Sequence, residues 1–277
     1  MRVRFLDVNR LRTRVLHEGS GPPVLLLHGL GTTAERWLAN IDVLGGRFTV
    51  HAPDLLGAGF SADQAYTSAP QLHHIAHLTA LVDALSLDEF CVVGSSYGGL
   101  LAALLALAMP DRVKRLVIVG SGSALHPPGE QEQVLRAARE NSLKALRDAT
   151  LEATRTRMER IVFKPESVPP MCLMVQLTAN ALPGRLQNAE QLYDAMIPAL
   201  AVPEAQVYQR LEQVRQPTLI VTGRNDIRAS WQLAEAASKR IPDCRFEVFE
   251  ECGHGPMFEQ AAQFNALVGE FLALSAP

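Results

Sequence analysis

Phe90-Cys91-Val92-Val93-Gly94-Ser95-Ser96-Tyr97-Gly98-Gly99 runs from an apolar stretch into a serine framed by glycines, and the apolar segment Leu100 to Met109 follows at once. The first part is continuous rather than alternating, which fits a strand buried on both faces of a parallel sheet. The segment behind it is apolar nearly all round, as a helix packed deep against such a sheet should be. Between them stands Gly-x-Ser-x-Gly, centred on Ser96. In a tight strand-to-helix turn, side chains two residues either side of the serine would collide, so both positions are glycine. The strain of that turn pushes the serine oxygen into the open above the sheet, and the helix start brings backbone N–H groups beside it. Ser95 lacks the paired flanking glycines.

Outward from this turn, Val24 to Leu27, Phe48 to Ala52, Leu116 to Gly120, Thr218 to Thr222 and Phe246 to Phe249 read as further strands. Val3 to Val8 and Leu11 to His17 read as an edge hairpin. Helical spacing marks Leu72 to Leu85, Trp231 to Ile241 and Gln260 to Leu274. Strands alternating with helices predict an α/β fold with a mostly parallel sheet covered on both faces. The alternation stops between Ala124 and Arg215, where Gln131 to Ala149, Leu151 to Ile161 and Met171 to Ala181 have helical pattern and no strand is convincing. The expected organisation is therefore a core of residues 1–123 and 216–277 with a helical cap, or lid, of residues 124–215.

The chain has 277 residues, 48% of them hydrophobic, and a formal charge of -3. A chain of this size can bury about three quarters of its unfolded surface, enough for a core without staples. Acidic and basic residues are mixed along it, so a nucleic-acid partner has no electrostatic footprint. Arg155, Arg157 and Arg160, interleaved with Glu152 and Glu159, read as a solvated helix face. The longest apolar run is too short to span a bilayer. Cys91, Cys172, Cys244 and Cys252 form no close pair. With no apolar signal-peptide core in Met1 to Asp7, they are expected as reduced thiols in a cytoplasmic protein.

A serine hydroxyl needs a base to take its proton, and the base needs a carboxylate to hold it. In a fold of this kind the chain order is Ser, then Asp or Glu, then His. His254 follows the last strand, in a loop at its carboxyl end, where ligands meet open α/β sheets. His126 comes too early in that order. Asp226 ends the strand Thr218 to Thr222, while the loop one strand earlier, Gly120-Ser121-Gly122-Ser123, holds no carboxylate. Ser96, Asp226 and His254 are thus the expected catalytic set. The backbone N–H groups of Leu30, in His28-Gly29-Leu30-Gly31, and of Tyr97, directly after the serine, are the expected oxyanion donors. His28 and Asp54 are expected to organise loops. His73, His74 and His77 supply too few ligands for a metal and read as a solvated helix face.

Taken together, His28-Gly29-Leu30-Gly31, Asp54-Leu55-Leu56-Gly57-Ala58-Gly59-Phe60-Ser61, the turn at Ser96, the Asp226 loop and Gly253-His254 resemble the α/β-hydrolase superfamily along nearly the whole chain. The resemblance implies an eight-stranded, mostly parallel sheet with a helical cap insertion. Within the superfamily the chain looks most like carboxylesterases and meta-cleavage-product (carbon–carbon bond) hydrolases. It departs from the latter at Ser95, where they carry Asn, and at Gly255, where they carry Trp. Arg185 is the guess for their substrate-carboxylate arginine.

The leading expectation is a serine hydrolase cleaving a small-to-medium apolar carboxylic ester through an acyl-enzyme, with no metal or organic cofactor. The alternatives are carbon–carbon cleavage of a dienoic keto acid, and a small-ligand receptor with slow or no turnover. Trp37, Ser95, Met171, Met174 and Met257 are the expected pocket residues. The expected partner is a small-molecule substrate, with no nucleic acid and no membrane span, and a homodimer is allowed.

Overall fold

A computed structural model describes residues 1–273 of the chain. Eight strands form one sheet: β1 (Arg2–Val8), β2 (Leu11–Glu18), β3 (Pro23–Leu27), β4 (Thr49–Pro53), β5 (Phe90–Ser95), β6 (Val113–Val119), β7 (Thr218–Gly223) and β8 (Cys244–Phe249). Their spatial order is β1-β2-β4-β3-β5-β6-β7-β8. β1 and β2 form the antiparallel edge, β2 meets β4 antiparallel, and all other pairs are parallel. Helices α1 (Leu38–Gly45), α2 (Pro70–Ala84) and α3 (Tyr97–Ala108) precede β6. Helices α4 (Gly122–Leu125), α5 (Pro128–Asp148), α6 (Leu151–Glu159), α7 (Pro170–Asn180) and α8 (Arg185–Met196) lie between β6 and β7. Helix α9 (Trp231–Ser238) links β7 to β8, and α10 (Pro256–Glu259) and α11 (Ala261–Ala273) end the described chain. Of the last expected helix, Leu274 lies outside the described residues. The expected boundary at residue 124 falls inside α4.

The continuous apolar strands follow from burial on both faces. Successive side chains of a strand point to opposite sides. Leu25, Leu27, Val92, Leu116 and Ile118 enter one core, while Val24, Leu26, Val93, Val117 and Val119 enter the other. Helix α3 is buried from Tyr97 to Ala106, which explains its apolar circumference. The register Val24↔Cys91 to Leu27↔Gly94 brings the loops after β3 and β5 side by side at the carboxyl edge of the sheet. Among the described residues no helix is long and apolar enough to cross a membrane.

The histidines of α2 correct one expectation. His74 and His77 face inward: His77 Nε2 pairs with the Thr13 hydroxyl at 2.8 Å, and His74 lies against Tyr97. Burial holds His51, His74 and His77 down to about 4 and His28 to about 3. Their unfolded value is about 6.5, so between those limits the unfolded chain binds protons that the folded chain refuses. Stability should therefore fall as pH drops through this window, by on the order of 1 kcal/mol per pH unit for each group. Asp54, raised to about 6 by its burial, works the opposite way there, while His126, also held down by burial, adds to the other four imidazoles. A Tm that declines between neutral pH and about pH 4.5 in circular-dichroism melts is the expected outcome. A flat Tm would show that these imidazoles are not held neutral.

Candidate active site

Ser96 sits between β5 and α3 with φ 56° and ψ −120°, a left-handed backbone that an L-residue adopts only under constraint. The constraint is visible at its glycines. A Cβ at Gly94 would sit on the carbonyl of Gly98, and one at Gly98 on the carbonyl of Leu27. Ser96 N–H donates to Val119 O at 2.8 Å, and Ser121 Oγ donates to Ser96 O at 2.6 Å, so β6 holds the turn from the side.

His254 Nδ1–H donates to Asp226 Oδ2 at 2.8 Å, with both side chains buried. The other Asp226 oxygen accepts the backbone N–H groups of Arg228 at 2.7 Å and Ala229 at 3.1 Å. The carboxylate-free loop after β6 has a steric purpose. A Cβ on Gly120 would stand 3.1 Å from Asp226 Oδ2 and 3.4 Å from His254 Nδ1. Glu259, which sequence reasoning passed over, braces the histidine loop. Its carboxylate accepts Gly253 N–H at 2.9 Å, Gly255 N–H at 2.8 Å and Phe163 N–H at 2.8 Å. His254 N–H itself donates to Ile161 O at 2.7 Å, which ties the loop to the helical insertion.

Among the described residues, neither Leu30 N–H nor Tyr97 N–H has an acceptor. The aim of the Leu30 group follows from its own peptide. Leu55 N–H donates to His28 Nε2 at 3.0 Å, so the ring proton is on Nδ1. That Nδ1–H and the Thr32 hydroxyl both donate to Gly29 O at 2.8 Å. In a trans peptide the N–H points away from the C=O, so fixing Gly29 O fixes Leu30 N–H. Asp54 organises the same region, accepting Ala34 N–H and Phe60 N–H and forming an ion pair with Arg14.

Ser96, His254, Leu30 and Tyr97 line one cavity. Its other walls include the apolar Val134, Leu135, Ala138 and Ile161 of the insertion, the polar Thr32, Ser123, Asn141 and Ser142, and Arg36, Arg157 and Arg228. A second, mostly apolar cavity meets it across Gly29, Leu30, Thr32 and Tyr97.

None of the five expected pocket residues lines the first cavity. Trp37 is buried against Phe264, and Met257 lies in the same core. Ser95 is buried at the end of β5 and is not among the residues that line the cavity. Met171 and Met174 are 63% and 54% exposed, because α7 turns Cys172, Leu173, Gln176 and Ala179 inward instead. Arg185 lines the second cavity rather than that of Ser96, its guanidinium held by Asp63 and the carbonyls of Gly59 and Ser61. Arg157, expected in solvent, is 6% exposed and reaches Leu30 O at 3.0 Å.

A family profile described as alpha/beta hydrolase fold matches residues 22–261. A 2-hydroxymuconate semialdehyde hydrolase of Pseudomonas sp. (strain CF600) is 28% identical over 95% of this chain and 91% of its own length. A pimeloyl-[acyl-carrier protein] methyl ester esterase of Nitrosomonas europaea is 29% identical over 89% of this chain and 94% of its own. The solved structure of a meta-cleavage product hydrolase from Pseudomonas fluorescens IP01 superposes with a TM-score of 0.83 at 25% identity, covering 97% of this chain and 96% of that one.

Proposed function

The chain belongs to the alpha/beta-hydrolase family, and from that membership we propose that it cleaves a carboxylic ester of a small molecule through an acyl-enzyme on Ser96. The observation that carries this reading is the Asp226–His254 hydrogen bond, which opens on the same cavity as Ser96 and two backbone N–H groups without acceptors. Ser96 attacks the ester carbonyl while His254 Nε2 takes its proton. Asp226, through Nδ1–H, fixes the imidazole tautomer and stabilises its charged form. Leu30 and Tyr97 N–H receive the negative oxygen, each donor contributing about 3–4 kcal/mol to the transition state. His254 then protonates the leaving alcohol, activates a water, and the acid is released. The helical segment 124–215 serves as the cap, with α5 supplying an apolar wall over Ser96.

A second reading uses the same three residues to cleave a carbon–carbon bond in a dienoic keto acid. The dienoate and semialdehyde hydrolases among the similar proteins favour it. Ser95 and Gly255, the neighbours of the two proton-transfer residues, favour the ester; the site of a side chain on Gly255 is filled by the Phe258 ring.

Fluorophosphonate labelling followed by peptide mapping, beside kinetics on p-nitrophenyl esters and on a ring-fission keto acid, tests the proposal. The expected result is a label on Ser96 and a higher kcat/KM for an ester. A label elsewhere would overturn the nucleophile, and a much higher kcat/KM for the keto acid would hand the reaction to the second reading.

A further inference from the structure

Three guanidinium groups converge on the cavity of Ser96 and His254 from separate parts of the chain. Arg36 stands on the short turn Ala34–Trp37 after β3, Arg157 on α6, and Arg228 in the loop after β7. Arg36 and Arg157 are 4% and 6% exposed. Arg36 Nε and Nη1, Arg157 Nη1 and Arg228 Nη1 are buried with no acceptor among the described residues. None of the three makes an ion pair there, whereas the buried Arg14 and Arg185 are matched with Glu35 and Asp54, and with Asp63.

Of the carboxylates close by, the exposed Glu140 acts on Arg228 without a hydrogen bond or ion pair among the described residues, and the others are already engaged. Asp226 holds His254, Arg228 N–H and Ala229 N–H; Glu259 holds three backbone donors; Glu35 holds Arg14 and the Thr33 hydroxyl. The cavity is therefore lined by three guanidinium groups that have no ion pair among the described residues. Burial, and then the charge of Arg157, draws Arg36 down to about 10, so it stays charged at neutral pH. Buried guanidinium N–H groups without acceptors are costly, and a ligand oxygen is what relieves them.

The bonds these arginines do make show where a ligand would lie. Arg157 Nη2 donates to Leu30 O at 3.0 Å and to Ser142 Oγ at 3.2 Å, which leaves Nη1 free. Arg36 Nη2 reaches His254 O at 3.4 Å, which leaves Nε and Nη1 free. One end of each guanidinium steadies a loop of the site, and the other carries N–H groups without an acceptor among the described residues. Val134, Leu135, Ala138 and Ile161 line the same cavity beside the polar Thr32, Ser123, Asn141 and Ser142, so a short chain ending in an anion matches the lining.

We infer that the substrate carries a carboxylate, and that Arg36, Arg157 and Arg228 receive it beside Ser96. This replaces the apolar ester expected from the cap methionines, and for its reaction it rests on the ester reading above. Arginine suits the task because its planar fork matches a carboxylate and keeps its charge when desolvated.

Binding is tested apart from catalysis in the Ser96→Ala protein, by calorimetric titration with glutarate and with its neutral diamide. Glutarate should bind and the diamide should not, and Arg157→Gln or Arg36→Gln should weaken glutarate by about tenfold. Equal behaviour of acid and diamide would overturn the inference. In the wild type, p-nitrophenyl half-esters of succinate, glutarate and adipate are compared with neutral acyl chains of the same length. At least one half-ester should lead its neutral partner by about tenfold or more in kcat/KM. That ratio should fall toward one in Arg157→Gln and recover in part in Arg157→Lys, with circular dichroism confirming that both variants fold. Equal kcat/KM for charged and neutral chains would overturn the inference. Selective glutarate binding without turnover of any ester would uphold the anion site and reject the ester reading.

Discussion

Replacing Ser96 by alanine is expected to lower kcat by about 10⁴–10⁶-fold and to abolish fluorophosphonate labelling, with the fold unchanged. The loss is this large because Ser96, His254 and Asp226 are proposed to act as a unit. Without the hydroxyl, His254 has no proton to take and no acyl-enzyme forms. The oxyanion donors and the cavity remain, so a small direct hydrolysis above the rate in water should persist. The fold should survive for two structural reasons. Alanine keeps the Cβ and the backbone at φ 56°, and Ser96 Oγ makes no hydrogen bond among the described residues that the change would break. Turnover measured beside a thermal melt checks both halves. Wild-type turnover in a folded variant would remove Ser96 from the mechanism. A collapsed Tm would mean that the turn depends on the hydroxyl.

The parts of the site read correctly from sequence are those in which geometry is local. The turn at Ser96 announces itself because the glycines that relieve its crowding are two residues away, and the crowding they relieve is real in the fold. The strands announce themselves because burial on both faces leaves no polar position to interrupt them. The empty loop after β6 is legible for a related reason: where Asp226 and His254 meet, Gly120 has a positive φ and a Cβ would crowd the Asp226 carboxylate. What sequence does not reveal is decided by contacts over long separations. Arg157 is flanked by charges of both signs, as a solvated face would be, yet the face that α6 buries is Thr154, Arg157 and Met158. No hydrophobic periodicity marks a face built from a threonine and an arginine. Helix α7 is apolar nearly all round, so its sequence does not say that Met171 and Met174 face out. Arg185 is claimed by Asp63, which lies far back in the chain and carries no sequence signal of its partner.

The arginines and the dyad bear on each other through one loop. Arg228 N–H is one of two donors to Asp226 Oδ1, while the Arg228 side chain lines the cavity. The residue that anchors the acid also presents charge to the ligand. A substitution at Arg228 keeps the backbone donor, so it should alter ligand preference more than the proton transfer. Arg36 and Arg157 hold the carbonyls of His254 and Leu30, so substrate charge and the reacting loops are mechanically joined.

Asp226→Asn isolates the dyad with the least disturbance, and kcat is expected to fall by about 10⁴-fold with little change in Tm. The direction follows from what the amide must satisfy. Two backbone N–H groups, of Arg228 and Ala229, point at Oδ1, so the asparagine oxygen is held on that side. Its NH₂ group then faces His254 Nδ1, where a carboxylate oxygen stood. An NH₂ group can only donate, so Nδ1 must become the acceptor and the ring proton moves to Nε2. A protonated Nε2 cannot take the proton of Ser96. The imidazolium that forms on the reaction path also loses its negative neighbour in a place with no water to replace it, since the Asp226 side chain is fully buried. KM should change little, because the substrate is bound by other groups. Nitrogen NMR of the His254 ring supplies the readout that a merely structural role would not move, with the protonated nitrogen switching from Nδ1 to Nε2. A variant that kept more than about a tenth of wild-type kcat, where about 10⁴-fold loss is expected, would show that Asp226 is not the residue that holds the base.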